Sequence, residues 1–159
     1  MNVLCLDAAT EYSGVLVVTH GQPVEWNVLR AVGVDVWDRI ENFGEQLAEY
    51  MYSYQIDVLG YEYPSGNSSH STNLKLGALM YEAIRRFRAY KDVYCPGAEW
   101  IEVKPTQIKA TGAHKDAPEF AGQQIGVEFS WKSKAEKKRL GNVWDAIGIW
   151  LWLKEQGYA

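Results

Sequence analysis

Four polar residues interrupt stretches that are otherwise apolar. Asp7 closes "NVLCLD", Glu62 lies near the end of "IDVLGYEYP", and Asn142 and Asp145 sit in "LGNVWDAIGIWLWL". A carboxylate buried in such a setting loses hydration and needs a compensating partner. Asn142 and Asp145 are three residues apart, so on a helix they share one face and point at one target. Asp7 and Glu62 end strand-like runs, and ligand sites in α/β sheets gather beyond the carboxyl ends of parallel neighbours. Three carboxylates converging in one cleft repel each other unless a cation neutralises them. Mg²⁺ and Mn²⁺, which favour oxygen ligands, are the natural partners. Two such ions about 4 Å apart activate a water and stabilise the leaving oxygen in phosphodiester hydrolysis. Each of the four residues is equally compatible with a polar element end that has its own hydrogen-bond partner. Their long separations in sequence leave convergence to the fold.

The elements that must position them follow from periodicity. "VLCLD" (3–7), "GVLVVTHG" (14–21) and "VEWNVLR" (24–30) read as three strands joined by short polar connections, which implies an antiparallel meander. From Val36 the period lengthens: Trp37, Ile40, Phe43, Leu47, Met51 and Tyr54 predict an amphipathic helix over 36–54. A strand over 56–64 is stopped by Pro64, and the polar stretch 65–72 reads as a loop. Leu76, Met80, Ala83, Ile84 and Phe87 predict a helix over 73–90, which "RRFR" ends with charge suited to the helix dipole. A fifth strand spans 98–105. Short helices follow over 105–112 and 116–126, then a basic loop "SWKSKAEKKRLG" and a last helix over 142–156. In that helix Trp144, Ile147, Trp150 and Leu151 are expected to face the core. The order β-β-β-α-β-α-β-α-α-α describes an α/β domain with a mixed sheet and helices on its faces.

At 159 residues the chain is long enough for one domain with one sizeable core, and its 47% hydrophobic and 23% charged content is that of a globular protein. No apolar run reaches the roughly 18 residues of a membrane span, and no secretory signal is read at the N-terminus. Cys5 and Cys95 lack a pairing motif, which suggests free thiols in a reducing cytoplasm. His20, His70 and His114 have no zinc spacing.

The net charge of −4 hides an asymmetry. Residues 104–139 carry Lys104, Lys109, Lys115, Lys132, Lys134, Lys137, Lys138 and Arg139 against Asp116, Glu119, Glu128 and Glu136; this is +4, with −8 on the remainder. Such a segment is either a solvated face or a localised phosphate-binding surface on an acidic body. Trp131 beside Lys132, Lys134, Lys137, Lys138 and Arg139 favours the second, because an aromatic among cations stacks on a base while the cations track phosphates.

Four motifs in chain order resemble one family. They are "LDAATEYSG", "YEYPSGNSSHSTNLKLGAL" with "KLG" thirteen residues after the Glu, "VKPTQIKATGAHKD", and "NVWDAIG". Together they resemble the RuvC family of Holliday junction resolvases, which have a ribonuclease H-like fold. The resemblance implies a five-stranded mixed sheet, antiparallel in strands 1–3 with parallel additions 4 and 5, in a single domain over 1–159. It implies Asp7, Glu62 and Asp145 as catalytic metal ligands for two Mg²⁺ ions, replaceable by Mn²⁺, with Asn142 assisting. It also implies Lys104 and Lys115 near the scissile phosphate, Lys75 and Lys109 among the DNA contacts, and a homodimer that nicks two opposed strands of a four-way junction. The small, divergent form suits a bacteriophage version. The chain departs from the family at two positions. Asn142 stands where Asp or His is usual, and Ser65 stands where bacterial relatives often carry a stacking aromatic, a part open to Tyr63 or His70. Two other readings fit part of the pattern: a nuclease of the same fold for flaps, other branched DNA or RNA–DNA hybrids, and a non-catalytic actin-like ATPase-fold or nucleic-acid-binding scaffold. The scaffold requires neither Glu62, Asp145 nor the basic segment.

Overall fold

The computed structural model describes residues 1–63, 66 and 68–158. Ten elements follow one another: β1 (Asn2–Asp7), β2 (Tyr12–Thr19), β3 (Gln22–Arg30), α1 (Val36–Tyr54), β4 (Val58–Glu62), α2 (His70–Tyr94), β5 (Glu99–Val103), α3 (Pro105–Ala110), α4 (Pro118–Ile125) and α5 (Lys134–Glu155). The sheet order is β3-β2-β1-β4-β5. The first three strands pair antiparallel, as their short connections imply, and β4 joins parallel to β1 and β5 parallel to β4, as the family resemblance implies.

Both sheet faces are covered, which explains why β1 and β2 are apolar throughout instead of alternating. Side chains still alternate between the two sides. Leu4, Leu6, Val15, Val17 and Leu59 pack against α1 and α2. Val3, Cys5, Leu16, Val18 and Val58 pack against α3, α4 and α5. This period of two has a direct consequence for the polar residues. Asp7 continues the series Val3–Cys5, and Glu62 continues Val58–Gly60, so both leave the sheet on the α5 side.

Two helices are longer than apolar periodicity indicates. The basic stretch expected as a loop forms the first two turns of α5, which starts at Lys134 instead of 142. Ser133 caps it by accepting from the Glu136 N–H at 3.1 Å, and Glu136 in turn accepts from the Lys132 N–H at 2.8 Å. Those turns are largely solvent-exposed up to Arg139 and carry no apolar repeat before the buried Leu140, although Lys, Ala, Glu and Arg are good helix formers. Likewise α2 starts at His70 on a Ser69 cap and runs past "RRFR" to Tyr94. Arg85 and Arg86 serve no helix end there; they hold the buried Glu82 carboxylate at 2.7 and 2.8 Å where α1 and α2 cross. Trp37, expected on the core face of α1, is 73% exposed, because the buried stripe starts at Phe43, a turn and a half further in. Trp144, Ile147 and Trp150 are buried and Leu151 partly so, as their spacing predicts, and both cysteines are free.

Candidate active site

Three carboxylates meet at one end of the sheet. Asp7 ends β1, Glu62 ends the parallel neighbour β4, and Asp145 reaches them from α5; one oxygen of each lies within 4.8 Å of the others. Asp7 is 5% exposed and Asp145 9%, with Glu62 half-buried. Among the described residues, no lysine, arginine or histidine forms an ion pair with any of the three. Burial, with Glu62 and then Asp145 adding like charge, pushes the Asp7 carboxyl well above the ordinary carboxylate range. Asp145 is pushed up to about 6 by burial and by the charge of Glu62, against the opposing pull of Lys115. A trio of hard oxygen donors, largely buried and with no ion-paired cation among the described residues, fits a divalent cation such as Mg²⁺ or Mn²⁺.

The scaffold around the trio is built from close backbone approaches. Gly14 on β2 is the register partner of Asp7, and the Asn142 and Val143 backbone of α5 lies where its Cβ would be. At the far side, Gly148 lets the turn after α3 rest on α5, the Ala113 carbonyl oxygen occupying the place of a Cβ. Thr111 folds that turn through its hydroxyl, which donates to the Ile108 carbonyl at 2.7 Å. The Lys115 N–H then donates to Asp145 Oδ1 at 2.8 Å. Ser13, fully buried, closes the loop after Asp7: its hydroxyl accepts from the Ala9 N–H at 3.0 Å and donates to the Ala9 carbonyl at 3.3 Å.

Asn142 lies one turn before Asp145, and its Nδ2 donates to the Tyr12 carbonyl at 2.7 Å. An ionised carboxylate in the same orientation would set one oxygen against another, so this contact uses the donor of the amide. This residue ties α5 to β2, leaving its Oδ1 as the atom available to a cation or water.

The basic residues surround the trio unevenly. Lys115 adjoins Asp145 through its own backbone, and Lys104 follows Val103, the register partner of Glu62. Lys109 is exposed on α3 and Lys75 on α2. Lys134, Lys138, Asn142 and Asp145 recur at three- and four-residue steps along α5. Lys138 therefore shares the carboxylate's face, roughly 10 Å up the helix at 1.5 Å per residue. Lys132 and Lys137 lie beside Trp131, which is 37% exposed; its ring sits edge-on to Trp144, with the Lys137 ammonium 5.0 Å from its centroid. His70 and Tyr63 are exposed near the trio's strand end, whereas Ser65 lies outside the described residues. Sequence reasoning missed Tyr12, whose ring has the Arg139 guanidinium at 4.0 Å and Arg30 at 5.8 Å. An aromatic directly after the Asp7 loop is its only sequence signal.

The burial of Asp7 and Asp145 carries a stability consequence. Their folded-state pKa values lie above the ordinary carboxylate values near 4, so between those limits the native protein binds more protons than the unfolded chain. Stability contributed by Asp145 is therefore present at low pH and falls as pH rises through about 6, and Asp7 acts in the same direction. A divalent cation binds the ionised trio and opposes that loss. Melting temperatures of metal-stripped protein should rise on adding Mn²⁺ or Mg²⁺, and by more at about pH 8 than at about pH 5. An equal or absent rise at the higher pH would remove the trio as a metal site.

No protein-family model and no curated protein sequence matches the chain. Solved structures do. RuvC of T. thermophilus, in complex with a Holliday junction substrate, superposes with a TM-score of 0.77 at 14% identity, covering 100% of this chain and 98% of its own. The yeast mitochondrial Holliday junction resolvase Ydc2 gives 0.61 at 9% identity over 98% and 82%. The fowlpox virus resolvase, with its substrate Holliday junction DNA, gives 0.58 at 13% identity over 100% of both chains. The chain has the ribonuclease H-like fold of RuvC, with its mixed five-stranded sheet and flanking helices.

Proposed function

We propose that this chain is a Mg²⁺-dependent endodeoxyribonuclease that resolves four-way DNA junctions as a homodimer. The observation that carries the reading is the trio of Asp7, Glu62 and Asp145, uncompensated and within 4.8 Å, on a fold shared with junction resolvases. A scaffold protein of related fold does not require Glu62, Asp145 or the basic segment. In this reading the trio holds two ions, with Asn142 Oδ1 as an auxiliary oxygen. The ions supply Lewis acidity toward the phosphodiester and acidify a water. Asp145 is oriented by the Lys115 N–H, which also offsets part of the burial that disfavours its charged form. The ammonium groups of Lys104 and Lys115 neutralise the phosphate as charge grows on it. The basic turns of α5 hold the adjoining backbone.

Dimerisation is supported by α2, where Leu74 and Tyr81 are 63% and 72% exposed, two turns apart on one side. Gly77 lies between them with open space at its Cβ, and this lets a second helix come close. Two copies would set two trios against two strands. No helix is long and apolar enough to cross a membrane among the described residues.

The test is cleavage of a mobile four-way junction, a flap and a linear duplex in Mg²⁺ or Mn²⁺. Symmetric paired nicks in the junction, absent from the duplex, are the expected result. Equal cutting of flap and duplex would replace the junction resolvase with a general nuclease of this fold. Junction affinity should also fall steeply with salt, log K declining by roughly 0.9 per phosphate neutralised. A flat salt response would remove the basic segment 104–139 from the interface.

A further inference from the structure

A second group of uncompensated charges lies across the β1–β2 loop from the trio, on the α1–α2 side of the sheet. Arg30 at the end of β3, Arg39 on α1 and Lys75 on α2 line one cavity of about 340 Å³, floored by Ile40 and Leu79. Glu11 is the only acidic residue in its wall, and among the described residues none of the three cations forms an ion pair. Three like charges from three separate elements gathered on one cavity, with Glu11 alone to offset them, favour an anion between them. The cavity also has neighbours that show what kind of anion. Thr10 and Glu11 wall it on one side and, on the other, help wall the depression formed by Lys138, Arg139 and Asn142. Tyr12 joins the two, with Arg30 and Arg139 both over its ring. The basic surface thus passes from α5 around the loop that carries Asp7 to α1 and α2. That run of cations, interrupted by Glu11, suits an extended polyanion. The apolar floor under the cationic rim suits a sugar or base beneath its phosphate.

We infer that Arg30, Arg39 and Lys75 form a phosphodiester-binding site for the DNA strand, seating a nucleotide beyond the cleaved bond on the side of the loop away from α5. The inference rests on the junction-nuclease reading, and its ligand is a backbone phosphate of that same substrate. Of the three residues, only Lys75 is singled out by sequence motifs.

The experiment measures junction binding by fluorescence anisotropy with Ca²⁺ replacing Mg²⁺, for the unmodified protein and for Arg30→Gln, Arg39→Gln, Lys75→Gln and the triple variant. Single linkages of the junction are also replaced one at a time by neutral methylphosphonates. Each single variant should lose about three- to tenfold in affinity and reduce the salt slope by about one. A short run of linkages should matter to the unmodified protein and become indifferent to the triple variant. Arg39 and Lys75 lie on helix surfaces, so their single variants keep the test readable if the triple variant melts early. Unchanged affinity, slope and linkage profile in protein that still cuts junctions overturns this site alone. Failure of the unmodified protein to bind any DNA overturns both readings. Competition by inorganic phosphate without any linkage effect makes it a free-anion site and overturns the DNA assignment.

Discussion

Asp7→Asn protein should melt at a higher temperature than its parent in metal-free buffer at neutral pH, while cutting four-way junctions about a thousandfold more slowly. The two changes have one cause. Asp7 is almost fully buried, and burial together with Glu62 and Asp145 holds its carboxyl above the ordinary range. The charged form of this side chain is therefore disfavoured in the native protein, and keeping a carboxyl there costs stability at neutral pH. Asn is nearly isosteric, removes that charge, and places an N–H where Glu62 can accept it. The same change deletes a cation ligand and leaves the remaining pair with less charge to offer. A factor of about a thousand corresponds to about 4 kcal/mol of transition-state stabilisation, the scale of losing one contact aimed at developing charge. Single-turnover cleavage and calorimetric melting, each with and without Mn²⁺, read both effects. A carboxylate with a merely structural role would give the reverse melting result. Cutting at the parental rate would end the assignment of Asp7.

Gly14→Ala should damage activity without touching a polar atom. A Cβ at Gly14 would lie 2.1 Å from the Asn142 carbonyl carbon, 2.2 Å from its oxygen and 2.4 Å from the Val143 nitrogen. All three are backbone atoms in the middle of α5, flanked by fully buried Val143, Trp144 and Ile147, so no side chain can turn aside. Either α5 lifts from β2 or the β1–β2 hairpin bends. Both separate Asp145 from Asp7, the register partner of Gly14. Overpacking of this kind costs about 1–3 kcal/mol or more, and misplacing reactive groups by about 1 Å costs on the order of a hundredfold in rate. The rise in melting temperature produced by Mn²⁺ should shrink in parallel, because the trio no longer closes on one ion. Gly97→Ala, with nothing within 4 Å of its Cβ, serves as the control and should behave as the parent. Parental melting and cutting by Gly14→Ala would show that the approach of α5 to β2 does not set the site.

Much of this arrangement is legible in the chain. The change of period at Val36 marks α1 with its observed bounds, and uninterrupted apolar runs mark strands covered on both faces. Parity of two along "VLCLD" and "VLGYE" already places Asp7 and Glu62 on a common face once the strands are taken as parallel neighbours. The three-residue step from Asn142 to Asp145 correctly puts them on one helix. The early turns of α5 escaped notice because their helicity rests on propensity and a Ser133 cap, not on apolar spacing. Similarly, the "RRFR" arginines look like helix-end charges until α1 supplies the crossing at which Glu82 is buried.

What the sequence determined by itself is the set of local quantities: strand and helix identity, the face each side chain takes, and the charge of a segment. These depend on neighbours a few residues away. Only the tertiary structure decided what depends on distant chain segments meeting. It brings three carboxylates within 4.8 Å of one another with no ion-paired cation among the described residues, and it presses α5 on Gly14 so closely that only glycine fits. It also turns Asn142 from an odd ligand into the donor that Tyr12 requires, and it gathers Arg30, Arg39 and Lys75 around one cavity. Desolvation and Coulomb repulsion are set by through-space distance, and that distance exists only after the sheet and its helices have packed.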